Sequence, residues 1–132
     1  MHVRRLLLDT HALLWALTEP ARLPRTLRST LQNRGTALVV SAATAWEIAT
    51  KFRLGRLPAA EPLVLAYEEN LAHLGAEELP VTARHALAAG SLAWDHRDPF
   101  DRMLAAQSIL ESVPLVSMDT AFSGLAGLRT VW

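Results

Sequence analysis

The chain has no cysteine. Disulfides, zinc–thiolate sites and cysteine nucleophiles are therefore excluded, and a reducing cytoplasm is compatible with the composition. It has one lysine, Lys51, so nearly all of its positive charge is arginine, a side chain suited to bidentate phosphate contacts. It also lacks a surplus of either sign: 13 basic residues meet 13 acidic ones, so the totals do not describe a strongly basic nucleic-acid glove. No uncharged run is long enough to span a bilayer. The opening MHVRRLLLD imitates a secretion signal, but Asp9 and His11 break its apolar run and no small-residue cleavage site follows. A cytoplasmic protein without a membrane partner is expected. The five histidines show no H-x-x-x-H pairing, which speaks against a zinc site.

What is present suffices for one domain over residues 1–132, a size at which roughly two thirds of the unfolded surface can be buried. Its central feature is VRRLLLDTHALLWAL, Val3–Leu17. Leu6-Leu7-Leu8 is apolar without alternation, as in a strand covered on both faces. The run stops at Asp9, and His11–Leu17 continues at helical spacing. Further along, the pattern predicts a helix over Arg25–Arg34 capped at Gly35 and a strand over Ala37–Val40. A helix follows from about Ala43 to Leu54, stopped by Gly55, and another over Glu61–Leu74, closed by Gly75. A short or edge strand is expected at Glu77–Val81, where Pro80 limits pairing. Thr82 caps a helix reaching about Ala93, a charged loop covers Trp94–Asp98, and Pro99–Ser112 is a helix. Pro114–Ser117 is a strand, Asp119–Ala126 a short helical turn and Leu128–Val131 a last strand. Strands alternating with helices predict an α/β fold with a parallel sheet covered on both faces. Trp15 and Trp46 are expected in the core, and Trp94 in helix packing rather than base stacking.

Ligands of open α/β sheets bind beyond the carboxyl ends of the strands. Asp9 and Asp119 follow strands and so share that edge. Glu47 lies one turn inside the helix after the second strand, and Asp98 and Asp101 begin the Pro99 helix, which a loop can bring to the same rim. Each acid also has a plainer use. Asp9 and Asp98 are good helix caps, Asp119 suits a turn, and Glu47 could pair with Lys51 on the surface. Glu47, however, sits among Trp46, Ile48, Ala49 and Phe52, a poor place for an idle carboxylate. Taken together, converging carboxylates raise one another's pKa unless a positive charge compensates, and no lysine or histidine is obviously placed to serve them all. A divalent cation is the economical answer, and an all-oxygen donor set suits Mg²⁺ or Mn²⁺.

The pieces LLLDTHALLWAL, SAATAWEIATKFRLGRL, HRDPFDRMLAAQS and LVSMDTAF, in this order and spacing along nearly the whole chain, resemble the PIN-domain ribonucleases, specifically the VapC-type toxins of bacterial toxin–antitoxin pairs. The resemblance implies a three-layer α/β/α fold with about five strands. It implies Mg²⁺- or Mn²⁺-dependent endonucleolysis of RNA by metal-activated water, leaving 5′-phosphate and 3′-hydroxyl ends, a cognate antitoxin protein, and usually a homodimer. By position, Asp9, Glu47, Asp101 and Asp119 match the acidic quartet. Asp9 and Asp101 are expected to hold the principal ion, with Glu47 and Asp119 secondary and Asp98 an additional acid in capping or support. Thr10 and Ser117 match the small polar positions that steady acids or waters. Arg97 and Arg102 flank the acids as candidate RNA-phosphate contacts, and His96 is a further possibility or simply a loop residue. Two alternatives stand beside this reading: an inactive PIN-like module that binds RNA or a partner, and, fitting less well, a phospho-acceptor receiver domain, which would want paired acids after the first strand and a lysine after the last.

Overall fold

The computed structural model describes residues 4–132. Val3, with which the expected first strand opens, and the start of the signal-like Met1–Asp9 run lie outside the described residues. Five strands, β1 (Arg4–Leu8), β2 (Thr36–Ser41), β3 (Ala76–Leu79), β4 (Leu115–Val116) and β5 (Thr130–Val131), form one sheet in the order β3-β2-β1-β4-β5. All four pairings are parallel, with Leu6 opposite Leu38 and Leu7 opposite Leu115.

The triple leucine is explained by this order, because β1 is the middle strand. Leu6 and Leu8 face one side with Leu38, Val40 and Val116, and Leu13, Ile48, Leu63 and Leu71 cover them. Leu7 faces the other side with Val39 and Leu115, against Leu104, Ala105 and Phe122. Successive residues of a strand point to opposite faces, so a strand buried on both must be apolar throughout. Each fully buried leucine contributes about 1.5–3 kcal/mol of hydrophobic stabilisation. Helices on both faces make this a three-layer α/β/α fold.

The helices are α1 (Thr10–Thr18), α2 (Arg25–Gln32), α3 (Ala42–Arg53), α4 (Glu61–Leu65), α5 (Tyr67–Leu74), α6 (Ala83–Ser91) and α7 (Pro99–Glu111). Three features depart from the sequence-based pattern. The helix expected over Glu61–Leu74 is two, broken at Ala66 (φ −142°, ψ 54°), although its stripe of Leu63, Tyr67, Leu71 and Leu74 still packs on one core. Gly35 is no left-handed cap. Instead α2 ends at Asn33, whose Oδ1 accepts the Gly35 N–H at 2.7 Å. Trp46 is not core: it is 62% exposed and meets Phe100 edge-on at 4.7 Å. Gly75 caps α5 in the left-handed region as expected, at φ +73°.

Candidate active site

Three acids begin helical segments. Asp9 follows β1 and accepts the Ala12 N–H on Oδ1 at 2.8 Å, capping α1. Asp98 accepts the N–H groups of Phe100 and Asp101 on Oδ1, at 2.8 and 3.1 Å, capping α7 ahead of Pro99. Asp119 follows β4 and accepts the Ala121 N–H at 2.9 Å, opening a 3₁₀ turn over Thr120–Gly124. The cap expected of Asp9 and Asp98 and the turn expected of Asp119 are thus present. They are not rivals to the site reading, because each of these bonds engages a single carboxylate oxygen, Oδ1.

The same acids share one cleft. Asp9, Glu47, Asp98, Asp101 and Asp119 line a cavity of about 580 Å³ together with Thr10, His11, Lys51 and Met118. Asp9 and Glu47 are buried, Asp98 and Asp101 half-buried and Asp119 exposed. α1 and α3 start at the carboxyl ends of β1 and β2, the loop after β4 starts at the same edge, and the loop after α6 brings the start of α7 to that rim.

The electrostatics are those of an anionic cup. Burial pushes the Asp9 carboxyl above the ordinary carboxylate range. The Ser117 hydroxyl, the Ala12 N–H and the His11 charge pull the other way, and Glu47 adds to the rise. Asp101 is raised as well, by burial first, while its bond to His96 opposes the shift and the charges of Asp98 and Glu47 reinforce it. His96 Nε2 lies 2.7 Å from Asp101 Oδ2.

No lysine or histidine is expected to serve all of these acids, and the polar partners found are local: Lys51 and Thr10 serve Glu47, and His96 serves Asp101. Lys51 donates to Glu47 Oε2, and Thr10 Oγ1 donates to Oε1. Burial pulls the Lys51 ammonium down, but the Glu47 bond and charge, with Asp98 and Asp101, outweigh it and raise it overall. The Glu47–Lys51 pair is therefore real, yet it is no idle surface pair, since Glu47 is only 3% exposed. The sequence signal for it was the i, i+4 spacing on α3 and the identity of Lys51 as the chain's only lysine.

Arg102 departs from its expected use. Its guanidinium donates to the carbonyl oxygens of Ala89, Leu92, Trp94 and His96 at 2.6–2.9 Å, clasping the loop between α6 and α7. Donors engaged in this way are not free for phosphate. Arg97 is exposed, and it lines a neighbouring apolar groove with Trp46, Val81, Phe100 and Met103. Trp94 packs beside Phe122 and His96. Ser117 Oγ accepts the Asp119 N–H at 3.1 Å, tying the loop after β4 to the end of that strand.

The PIN-domain family model matches residues 6–128, nearly the whole chain and all five acids. The chain belongs to the PIN-domain family. This assignment removes the receiver-domain alternative. A 58-residue stretch is 36% identical to "Ribonuclease VapC16" of Mycobacterium tuberculosis, and it covers 44% of this chain and 41% of that protein. Similar folds are found in DNA-bound VapBC from Salmonella typhimurium (TM-score 0.70, 18% identity, 97% of both chains). They are found also in VapBC2 from Rickettsia felis bound to a promoter fragment (0.64, 14% identity, 96% of this chain and 97% of that one). FitAcB from Neisseria gonorrhoeae is a third (0.57, 19% identity, 96% of both chains). No helix among the described residues of this PIN domain is long and apolar enough to cross a membrane.

Proposed function

We propose that this PIN domain is a VapC-type endoribonuclease toxin, dependent on Mg²⁺ or Mn²⁺ and held in check by a protein antitoxin. The observation that carries the reading is the cleft in which five acids from four separate segments meet. In support, the relative with 36% identity is named a ribonuclease, and the similar folds come from toxin–antitoxin assemblies.

Among the described residues no three His, Asp or Glu side chains stand together as a clamp for one ion. The donor chemistry nevertheless fits a hydrated hard cation, which needs only one or two carboxylates and keeps several waters. The residues that would hold it are Asp9 and Asp101, the two acids whose carboxyls are raised by burial and by neighbouring charge. Glu47 and Asp119 would act through water or on a second ion. A bound dication supplies charge neutralisation at the phosphate and acidifies water.

The chain's own residues do the rest. The α1 cap fixes the Asp9 carboxylate. Ser117 stabilises its charged form, and Thr10 orients Glu47. His96 orients Asp101, and the Arg102 clasp holds the loop that carries His96. Arg97, on the exposed side of that loop, is left as the candidate contact to RNA phosphates; Arg102 is not. The products are expected to carry 5′-phosphate and 3′-hydroxyl ends. An antitoxin and a second copy of the chain are the proposed protein partners.

Asp9→Asn tests the reading. The amide keeps an oxygen for the Ala12 N–H, so the variant is expected to fold and still to bind antitoxin, while RNA cleavage and growth arrest on induction are lost. Undiminished cleavage at the same Mg²⁺ concentration would overturn the assignment. A wild-type protein that binds RNA without cutting it in Mn²⁺ would favour the inactive-module alternative.

A further inference from the structure

The only lysine of the chain stands among the acids. It lies one helical turn beyond Glu47 on α3, and its Nζ donates to Glu47 Oε2 while the Thr10 hydroxyl donates to Oε1. Both oxygens of a buried carboxylate are thus engaged by the protein itself. The same lysine lines the cleft with Asp98 and Asp101. Five carboxylates border this space, yet no three of the described His, Asp or Glu side chains form a cation clamp.

We propose that Lys51 is the cleft's built-in counter-cation, which neutralises Glu47 in the ion-free protein and competes with a divalent ion for that carboxylate. The inference rests on the metal-dependent reading above and refines it. Glu47 is a conditional donor, free to face an ion only when the ammonium leaves it. The lysine stem is flexible and 30% of the side chain is exposed, so the head can swing into water without unpacking α3. Two consequences follow. Without an ion, a buried Glu47 depends on Lys51 for compensation, because an unpaired buried charge is strongly destabilising. With an ion, the same lysine opposes binding, because it is a like charge at the ion's own donor.

The test is a calorimetric Mn²⁺ titration of the full chain, wild type against Lys51→Met, with thermal melting in EDTA and in saturating Mn²⁺. The charge-free variant is expected to bind Mn²⁺ roughly tenfold more tightly, the effect of removing one nearby like charge from a half-buried site. It should melt lower than wild type in EDTA, and the gap should close in saturating Mn²⁺. Lys51→Arg keeps the charge and should titrate like wild type. Should Lys51→Met fail to fold, Lys51→Gln retains a donor for Glu47 without the charge and is read in the same way. Mn²⁺ affinity equal to or weaker than wild type in a folded charge-free variant overturns the proposal. No RNA enters this titration, so an absence of RNA cleavage would remove the nuclease reading and leave the counter-cation result standing, and the reverse holds equally.

Discussion

At the scale of single residues, three of the carboxylates that line the cleft also cap helical segments. Asp9 was legible as an acid at a strand-to-helix junction, where cap and ligand look alike; the structure shows the cap on Oδ1 and the cleft on the same side chain. The energetic cost is visible in its raised pKa. A carboxyl that holds its proton to higher pH folded than unfolded contributes stability that falls as pH rises through that interval. Asp9→Asn carries no such penalty. In EDTA at neutral pH it should therefore match or exceed wild type in urea unfolding, and the difference should vanish once pH is low enough to protonate Asp9 in both states. Lower stability of the variant at neutral pH would count against burial as the cause. Tyr67, the only tyrosine, offers a second check away from the cleft. Burial, aided by Glu78, pushes its phenol up to about 12, and its hydroxyl is buried without a partner. The unfolded phenol ionises earlier, so folded stability is lost as pH climbs toward that value. Tyr67→Phe should stabilise by up to about 1 kcal/mol and flatten the alkaline loss, read by urea unfolding at several pH values.

At the scale of elements, strand and helix starts were readable because their signals are local. Asp98-Pro99 opens α7 and Gly75 closes α5 where sequence pattern places them. What sequence could not show depends on partners far along the chain. The break at Ala66 interrupts a stripe whose periodicity continues across it, so spacing alone could not reveal it. Arg102 lies beside an acid in sequence and so suggests a phosphate contact. Its four carbonyl partners run from Ala89 near the end of α6 to His96 in the loop that follows, whose conformation no local rule specifies. Trp46 reads as core because it is large and apolar among apolar neighbours, yet α3 turns it outward. Two substitutions follow at this scale. Arg102→Lys cannot reproduce a fork to four acceptors and should cost about 2–3 kcal/mol in urea unfolding, since charged hydrogen bonds are lost and carbonyls are left unmatched. Gly75→Ala meets no steric neighbour but must hold φ +73°, and should cost about 1 kcal/mol with cleavage unchanged. A loss under a few tenths of a kcal/mol would show that α5 ends without needing the left-handed residue.

At the scale of the whole molecule, a parallel sheet gathers the acids. The absence of alternation in Leu6-Leu7-Leu8 made β1 a central strand, and parallel pairing placed Asp9 and Asp119 on one edge before any coordinates. The strand order β3-β2-β1-β4-β5 was not readable, because alternation of strands and helices fixes direction but not which neighbour each crossover selects. Nor did a net charge of zero reveal that one cleft is lined by five carboxylates against a single lysine. On the proposed reading, this imbalance is a seat for a hard dication. Anomalous scattering from crystals grown with Mn²⁺ tests it most directly. A peak between the Asp9 and Asp101 carboxylates, absent from crystals grown in EDTA, is the expected result. A cleft without such a peak at saturating Mn²⁺, or Mn²⁺ found only elsewhere on the molecule, would contradict it.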